Sequence, residues 1–232
     1  RLITRNAAEP YYENGAVVTE NELIKETGTT AEMRLKYPDA EFVDAKGGVI
    51  MPAFINAHTH IYSALARGLS IAGYNPTNFY EVLDGMWWKI DRSLTLEDTR
   101  RSAYTTIIDC IKTGCTTIFD HHASFCQIEG SLFTIADAAR ALGIRACLCY
   151  EVSERDGEKK CDESIEENKS FIDHCEREND PMLKAMFGGH ALFTIGDKTF
   201  EKCVKANGGR TGFHIHVCEG MNDVYDSMKN YG

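Results

Sequence analysis

From residue 53 onward the apolar positions follow two alternating rules. Short runs of apolar residues, as strands require, are each followed by a longer stretch in which apolar residues recur every three or four positions; this is the pattern of a strand leading into a helix. Residues 53–59 read as the first strand. A long loop follows, rich in aromatics (Tyr74, Phe79, Tyr80, Trp87 and Trp88), with the two tryptophans in a helical segment. Thr95-Leu96-Glu97-Asp98 reads as a capping box. The helix it opens lines up Ala103, Ile107, Cys110 and Ile111 on one face, and Gly114 closes it.

The alternation then continues without a break. Strands are expected at 115–120, 144–152, 183–187 and 212–217, and helices at 132–142 (ended by Gly143), 162–178 and 197–206. The units recur about every 30 to 40 residues by architecture, not by identity. Before residue 51 the pattern differs: short extended pieces at 1–4, 16–19 and 41–43, turn-rich Glu13-Asn14-Gly15 and Lys46-Gly47-Gly48, and one helix at 30–36. The expected organisation is α/β. Residues 1–50 form a small, incomplete β-sandwich domain, and residues 51–232 form about five βα units.

Five βα units fit either a doubly wound sheet or part of an eight-stranded (β/α) barrel, and the polar residues choose between them. Of eight histidines, seven (His58, His60, His121, His122, His190, His214 and His216) fall at or near the C-terminal ends of the expected strands. Barrels place their chemistry there. A nucleotide-binding sheet would carry a glycine-rich phosphate loop after its first strand, and this chain has none. A partial TIM barrel of the metal-dependent hydrolase type is therefore expected.

Composition narrows the partners. The 232 residues are 43% hydrophobic and 26% charged, as in ordinary globular proteins. A formal charge of −10 repels nucleic acid, and no apolar run approaches the ~18–20 residues that cross a bilayer. With no signal-peptide core at the start, a cytoplasmic location is the default expectation. Nine cysteines without a Cys-x-x-Cys pair read as buried free thiols. Because position 1 is not Met and the chain stops at Tyr231-Gly232 as a helix begins, both ends are expected to be missing.

His58 and His60 stand two apart on a strand, so both point the same way. They are either polar residues at a strand end or two ligands of one cation. In Phe213-His214-Ile215-His216-Val217-Cys218-Glu219 the fifth strand adds an imidazole, His216, and a carboxylate three residues on. Histidines that hold a divalent ion make its water more acidic, and a nearby carboxylate can carry the proton. His214 is either a buried structural histidine or a participant. His190 follows Gly188-Gly189, whose missing side chains allow close backbone approach, and reads either as a residue that contacts substrate or polarises a carbonyl or as a hydrogen-bonded loop histidine. Of His121 and His122, one is expected to face the pocket. Trp88 is weighed between packing and ligand stacking. His174 and the acids Asp162, Glu163, Glu166 and Glu167 read as a solvated helix face.

Gly48-Val49-Ile50-Met51-Pro52-Ala53-Phe54-Ile55-Asn56-Ala57-His58-Thr59-His60 resembles the first-strand signature of the amidohydrolase superfamily. Gly188-Gly189-His190-Ala191 and His214-Ile215-His216-Val217-Cys218-Glu219 resemble later motifs of its branch of guanine deaminases, triazine hydrolases and methylthioadenosine deaminases. Arg67-Gly68-Leu69-Ser70, Trp87-Trp88 and Asp120-His121-His122-Ala123-Ser124 are similar to the SsnA-like aminohydrolases of that branch. Ala53 departs from the glycine common there.

The resemblance implies one divalent metal ion, zinc before iron, held by His58, His60 and His216, with Glu219 as proton shuttle and His190 beside the substrate. It also implies a further histidine and an aspartate beyond Gly232. The implied activity is hydrolysis of a non-peptide C–N bond by metal-activated water, deaminating a small nitrogen heterocycle. Ring-amide opening or halide removal is the enzymatic alternative. A catalytically silent scaffold and a metal-storage or sensor protein are the readings from other classes, and a homo-oligomer is left open. The fragment alone is expected to be poorly stable and inactive.

Overall fold

The computed structural model describes residues 1–232, in two compact units, Arg1–Phe54 and Ile55–Gly232. In the first unit, β1 (Leu2–Ile3) pairs antiparallel with β2 (Tyr11–Tyr12), and β3 (Gly15–Glu20) pairs with β4 (Leu23–Thr29). The β3–β4 hairpin turns over Asn21, whose φ of 55° lies in the left-handed region that asparagine tolerates. Thr29 then opens α1 (Thr30–Lys36) through a capping box with Glu32.

Two differences from the sequence expectation stand out in this unit. Residues 23–29 form a strand although only Gly28 among them is buried, because the tight turn hands β4 directly to β3. Residues 41–43 form none, since no neighbouring backbone pairs with them. Ile50 takes that place: the Ile3 amide donates to Ile50 O and the Ile50 amide to Arg1 O, at 2.9 and 2.8 Å. The unit is two small two-stranded sheets and a helix, so a sandwich is not closed within it.

The second unit realises the strand–helix alternation. β5 (Phe54–Thr59) leads through a 3₁₀ turn (Ile61–Ala66) to a helical run built of α2 (Phe79–Val82), a π turn (Leu83–Trp87) and α3 (Trp88–Asp91). Then come α4 (Leu96–Lys112), β6 (Cys115–His122), α5 (Ser131–Leu142), β7 (Arg145–Tyr150) and α6 (Glu158–Glu178). β8 (Leu183–Ala185), β9 (Phe187–Gly188), α7 (Asp197–Asn207), β10 (Phe213–His214) and α8 (Met221–Tyr231) complete it. Thr95 and Gly143 cap α4 and α5 as their sequences foretell.

One sheet runs in the order β5-β6-β7-β8, with β6, β7 and β8 parallel and Asp120 beside Leu148; β9 and β10 pair parallel as well. Parallel strands in chain order with helices between them are an arc of a (β/α) barrel. Ile107, Ile118, Leu132, Ile135, Leu148 and Phe171 fill the space between sheet and helices, each fully buried. Burying a side chain of this size contributes ~1.5–3 kcal/mol. The fourth strand breaks at Met186 and the fifth is only two residues long, both shorter than the apolar runs suggest. All nine cysteines are free thiols; six are buried as expected, but Cys115 is half-buried and Cys126 and Cys218 are exposed. No helix is long and apolar enough to cross a membrane.

Candidate metal centre

Parallel strands present their C-terminal ends at one rim, so side chains far apart in sequence meet there. His58 and His60 come from the end of β5 and His216 from just beyond β10. One ring nitrogen from each lies within 4.8 Å of the other two. His58 is exposed, His60 half-buried and His216 buried, so the cluster is open on one side.

Hydrogen bonds settle which nitrogens are bare. His60 Nδ1 lies 2.8 Å from His121 O, and His216 Nδ1 lies 3.0 Å from His190 O. A carbonyl can only accept, so each Nδ1 carries the proton and a neutral ring leaves its Nε2 as a lone pair. These two Nε2 atoms are 3.2 Å apart. Two lone pairs at that distance repel, a cation between them relieves the repulsion, and burial disfavours a charged ring, pulling His60 down to about 4. Tetrahedral bonds of ~2.0–2.1 Å would separate neighbouring nitrogens by about 3.3 Å. The donor set therefore fits a divalent metal ion. His58 is fixed from behind, with Nδ1 2.8 Å from His214 Nε2. Burial also lowers His214, to about 4, which keeps it uncharged beside the cluster.

Beside the cluster lies a cavity of about 170 Å³, walled by Tyr62, Phe79, Trp87 and Trp88 on one side and His60, His190, His216 and Glu219 on the other. Its size suits a small flat ring rather than a drug-sized ligand. The π turn puts the two tryptophans here; Gly85 within it packs so closely on Tyr74 that an added Cβ would fall 2.7 Å from that ring. His190 Nδ1 faces Thr194 Oγ1 at 2.6 Å, and that hydroxyl donates to Ala191 O. The ring therefore donates from Nδ1 and keeps Nε2 as its free nitrogen. Glu219 is exposed, and its amide donates to Asp223 Oδ2 at 2.9 Å, which anchors the turn after His216.

Behind the wall sits a buried charged group. Arg155 donates to both oxygens of Asp91 and to Glu151 Oε1, and its guanidinium lies between the rings of Phe125 and Trp88 at 4.0 and 5.1 Å. Glu151 also lines the cavity. Burial would raise the Glu151 carboxyl, but the charges around it, of which the Arg155 guanidinium is the permanent one, hold it below the usual carboxylate range.

A model of the amidohydrolase family matches residues 49–232. The chain belongs to the amidohydrolase family. A second model, the imidazolonepropionase-like composite domain of bacteria, matches residues 15–40. Among curated relatives, the 5'-deoxyadenosine deaminase of Methanobrevibacter smithii is 30% identical over 219 residues, 93% of this amidohydrolase and 46% of the relative. The chain spans about half the length of the curated relatives it matches. Among solved structures, guanine deaminase from C. acetobutylicum with bound guanine superposes with a TM-score of 0.82 at 14% identity, over 100% of this chain and 55% of that one. An adenosine deaminase from Xanthomonas campestris with bound zinc gives 0.75 at 21% identity, over 95% and 48%.

Within this amidohydrolase, His58, His60, His190, His216, Glu219 and Trp88 converge on one place. His121 and His122 do not line the cavity as expected. Both are fully buried: His121 packs against the histidine cluster, its ring 4.4 Å from that of His216 and 5.5 Å from that of His60, and the His122 ring lies 6.2 Å from that of Tyr62. His174 is not simply solvent-facing: it packs on Phe133 at 5.2 Å. Glu167 is not part of a solvated face either. It is buried and accepts from the Gly130 and Leu132 amides at the start of α5. Sequence reasoning missed Tyr62, Glu151, Arg155 and Asp91. A buried arginine flanked by acids had no local signal beyond the charged run Glu151 to Asp156.

Proposed function

We propose that this chain is the metal-holding half of a metal-dependent aminohydrolase that hydrolyses a non-peptide C–N bond, deaminating a small nitrogen heterocycle. The observation that carries this reading is the pair of bare Nε2 atoms of His60 and His216, 3.2 Å apart and next to an aromatic-walled cavity. His58, His60 and His216 would hold the ion, zinc in the first instance, the metal bound in an adenosine deaminase of similar fold. When bound, the ion supplies Lewis acidity and makes water a competent nucleophile near neutral pH.

The chain's own residues do the rest. Tyr62, Phe79, Trp87 and Trp88 hold a flat ring and exclude bulk water. Glu219, on the cavity wall and not tied up by any side-chain partner, takes a proton from water and returns it to the leaving nitrogen. His190, with Nδ1 committed to Thr194, offers Nε2 to a ring N–H of the substrate. The names of the curated relatives, deaminases of adenosine-type nucleosides, support an amino-substituted heterocycle as substrate.

The test is metal content per chain, by mass spectrometry, in the wild type and in a His58→Ala/His60→Ala variant, followed by ammonia release from a panel of aminated heterocycles using protein from the full reading frame. About one ion per chain, lost in the variant, and ammonia from at least one substrate are expected. A folded wild type that retains no ion after reconstitution would overturn the reading and favour the scaffold alternative.

A further inference from the structure

Asp120, at the end of β6, is fully buried, and no lysine or arginine lies within ion-pair distance of it. Its Oδ1 accepts the Ile61 amide at 2.6 Å, while its Oδ2 has no hydrogen-bond partner. Facing Oδ2 at 4.0 Å is His122 Nδ1, also buried and without a partner. With His122 neutral, an ionised carboxylate in that position would be an uncompensated buried charge, which is strongly unfavourable.

The proton positions follow from the far end of the chain. Gln127 O can only accept, so the Ser124 hydroxyl gives its proton there, at 2.9 Å. Ser124 Oγ must then accept from His122 Nε2, at 3.0 Å. A neutral His122 with its proton on Nε2 has a lone pair on Nδ1. Asp120 Oδ2 faces that lone pair at 4.0 Å, beyond hydrogen-bond distance, and an ionised oxygen there would set two acceptors against each other, which a protonated Oδ2 avoids. Burial pushes in the same direction, raising the Asp120 carboxyl to about 8 and lowering His122 to about 3.

We propose that Asp120 is a positioning residue held as a neutral acid, its Oδ2–H directed at His122 Nδ1 and its Oδ1 fixing the Ile61 amide next to His60. The two neighbouring contacts make the same strand end a cradle for His60. The Ile61 amide is held by Asp120, and His60 Nδ1 is held by the carbonyl of His121, the next residue. Together they aim the bare Nε2 into the metal cluster. Asp120, His122 and Ser124 resemble a nucleophilic acid–histidine–serine arrangement in outline only. Ser124 is fully buried and its proton is already committed.

This inference rests on the metal reading above, and asparagine provides its test, because an amide copies a protonated carboxyl's donor and acceptor but not a carboxylate. Zinc affinity is measured by competition with a chromogenic chelator in the wild type, Asp120→Asn and Asp120→Leu. Affinity within ~3-fold of wild type is expected for Asp120→Asn, and a loss of ~10–100-fold for Asp120→Leu. A loss in Asp120→Asn as large as in Asp120→Leu overturns the proposal. Nitrogen NMR of His122 is the second readout and does not depend on the leucine variant folding: the Nε2–H tautomer is expected at neutral pH, and an Nδ1–H tautomer overturns it. A wild type that binds no zinc while His122 keeps the Nε2–H tautomer defeats the metal reading and the positioning of His60, but not the neutral acid.

Discussion

Arg155 grips Asp91 with both terminal nitrogens, at 2.6 and 3.2 Å, and neither side chain reaches solvent. The pair ties the loop after β7 to the end of α3, the short helix that begins with Trp88. Removing one partner of such a pair leaves the other charge buried, so Arg155→Met is expected to cost ~3–5 kcal/mol in urea unfolding. An unchanged midpoint would mean that the pair is hydrated in solution and does not anchor Trp88.

Glu219 lines the cavity but is not one of the three clustered histidines, so its loss should separate proton transfer from metal holding. In protein from the full reading frame, Glu219→Gln is expected to keep about one ion per chain while kcat falls ~10²–10⁴-fold, the usual contribution of a general acid–base group. Loss of the metal in this variant would move Glu219 into the ligand set.

Asp120 and His122 give the metal-free chain a pH dependence of two signs. His122, lowered from 6.5 to about 3, contributes stability that is full above pH 6.5 and is lost as pH falls towards 3. Asp120, raised from 3.8 to about 8, contributes stability that is full below pH 3.8 and is lost as pH rises towards 8. Between 3.8 and 6.5 the two oppose each other; above 6.5 only Asp120 still changes. The urea midpoint of the metal-free wild type should therefore be lower at pH 8 than at pH 6.5. In Asp120→Asn that difference should shrink, and a difference of unchanged size would assign it to another group.

Glu167 reaches from α6 to accept the Gly130 and Leu132 amides, donors that α5 leaves unpaired at its own N-terminus. Glu167→Ala is expected to cost ~1–3 kcal/mol, read from thermal or urea unfolding, through two unsatisfied amides. Replacement of the neighbouring, exposed Glu166 by alanine should change stability little.

Gly188 shows why the chain needs glycine before His190. A Cβ at that position would fall 2.1 Å from Tyr150 O, a backbone atom that cannot move aside without disturbing β7. Gly188→Ala should push β9 outward and cost ~1–3 kcal/mol or more. Zinc affinity should weaken with it, since His216 Nδ1 donates to the carbonyl of His190. An alanine variant with wild-type stability and metal affinity would show that the strand has slack.

Much of the site could be read from the sequence because its parts obey local rules. His58 and His60 share a face by the two-residue period of a strand, and His216 and Glu219 follow the last apolar run. The same rules placed α1, the cap of α4 and the Gly143 stop of α5. They failed where a backbone partner decides: residues 23–29 became a strand through their turn, and residues 41–43 did not.

What the sequence determined by itself, then, is which residues can stand at strand ends and carry nitrogen or carboxylate donors. Only the tertiary structure decided which of them meet. It buried His121 against the cluster and His122 beside Tyr62, turned Glu167 inward to cap α5, and joined Asp91 to Arg155 across 64 positions. It also decided the protons, because the state of Asp120, His60 and His216 depends on which carbonyl, hydroxyl or amide each one faces. The physical reason is that propensity and period act over a few residues, whereas burial and hydrogen-bond direction depend on neighbours that only the folded chain supplies.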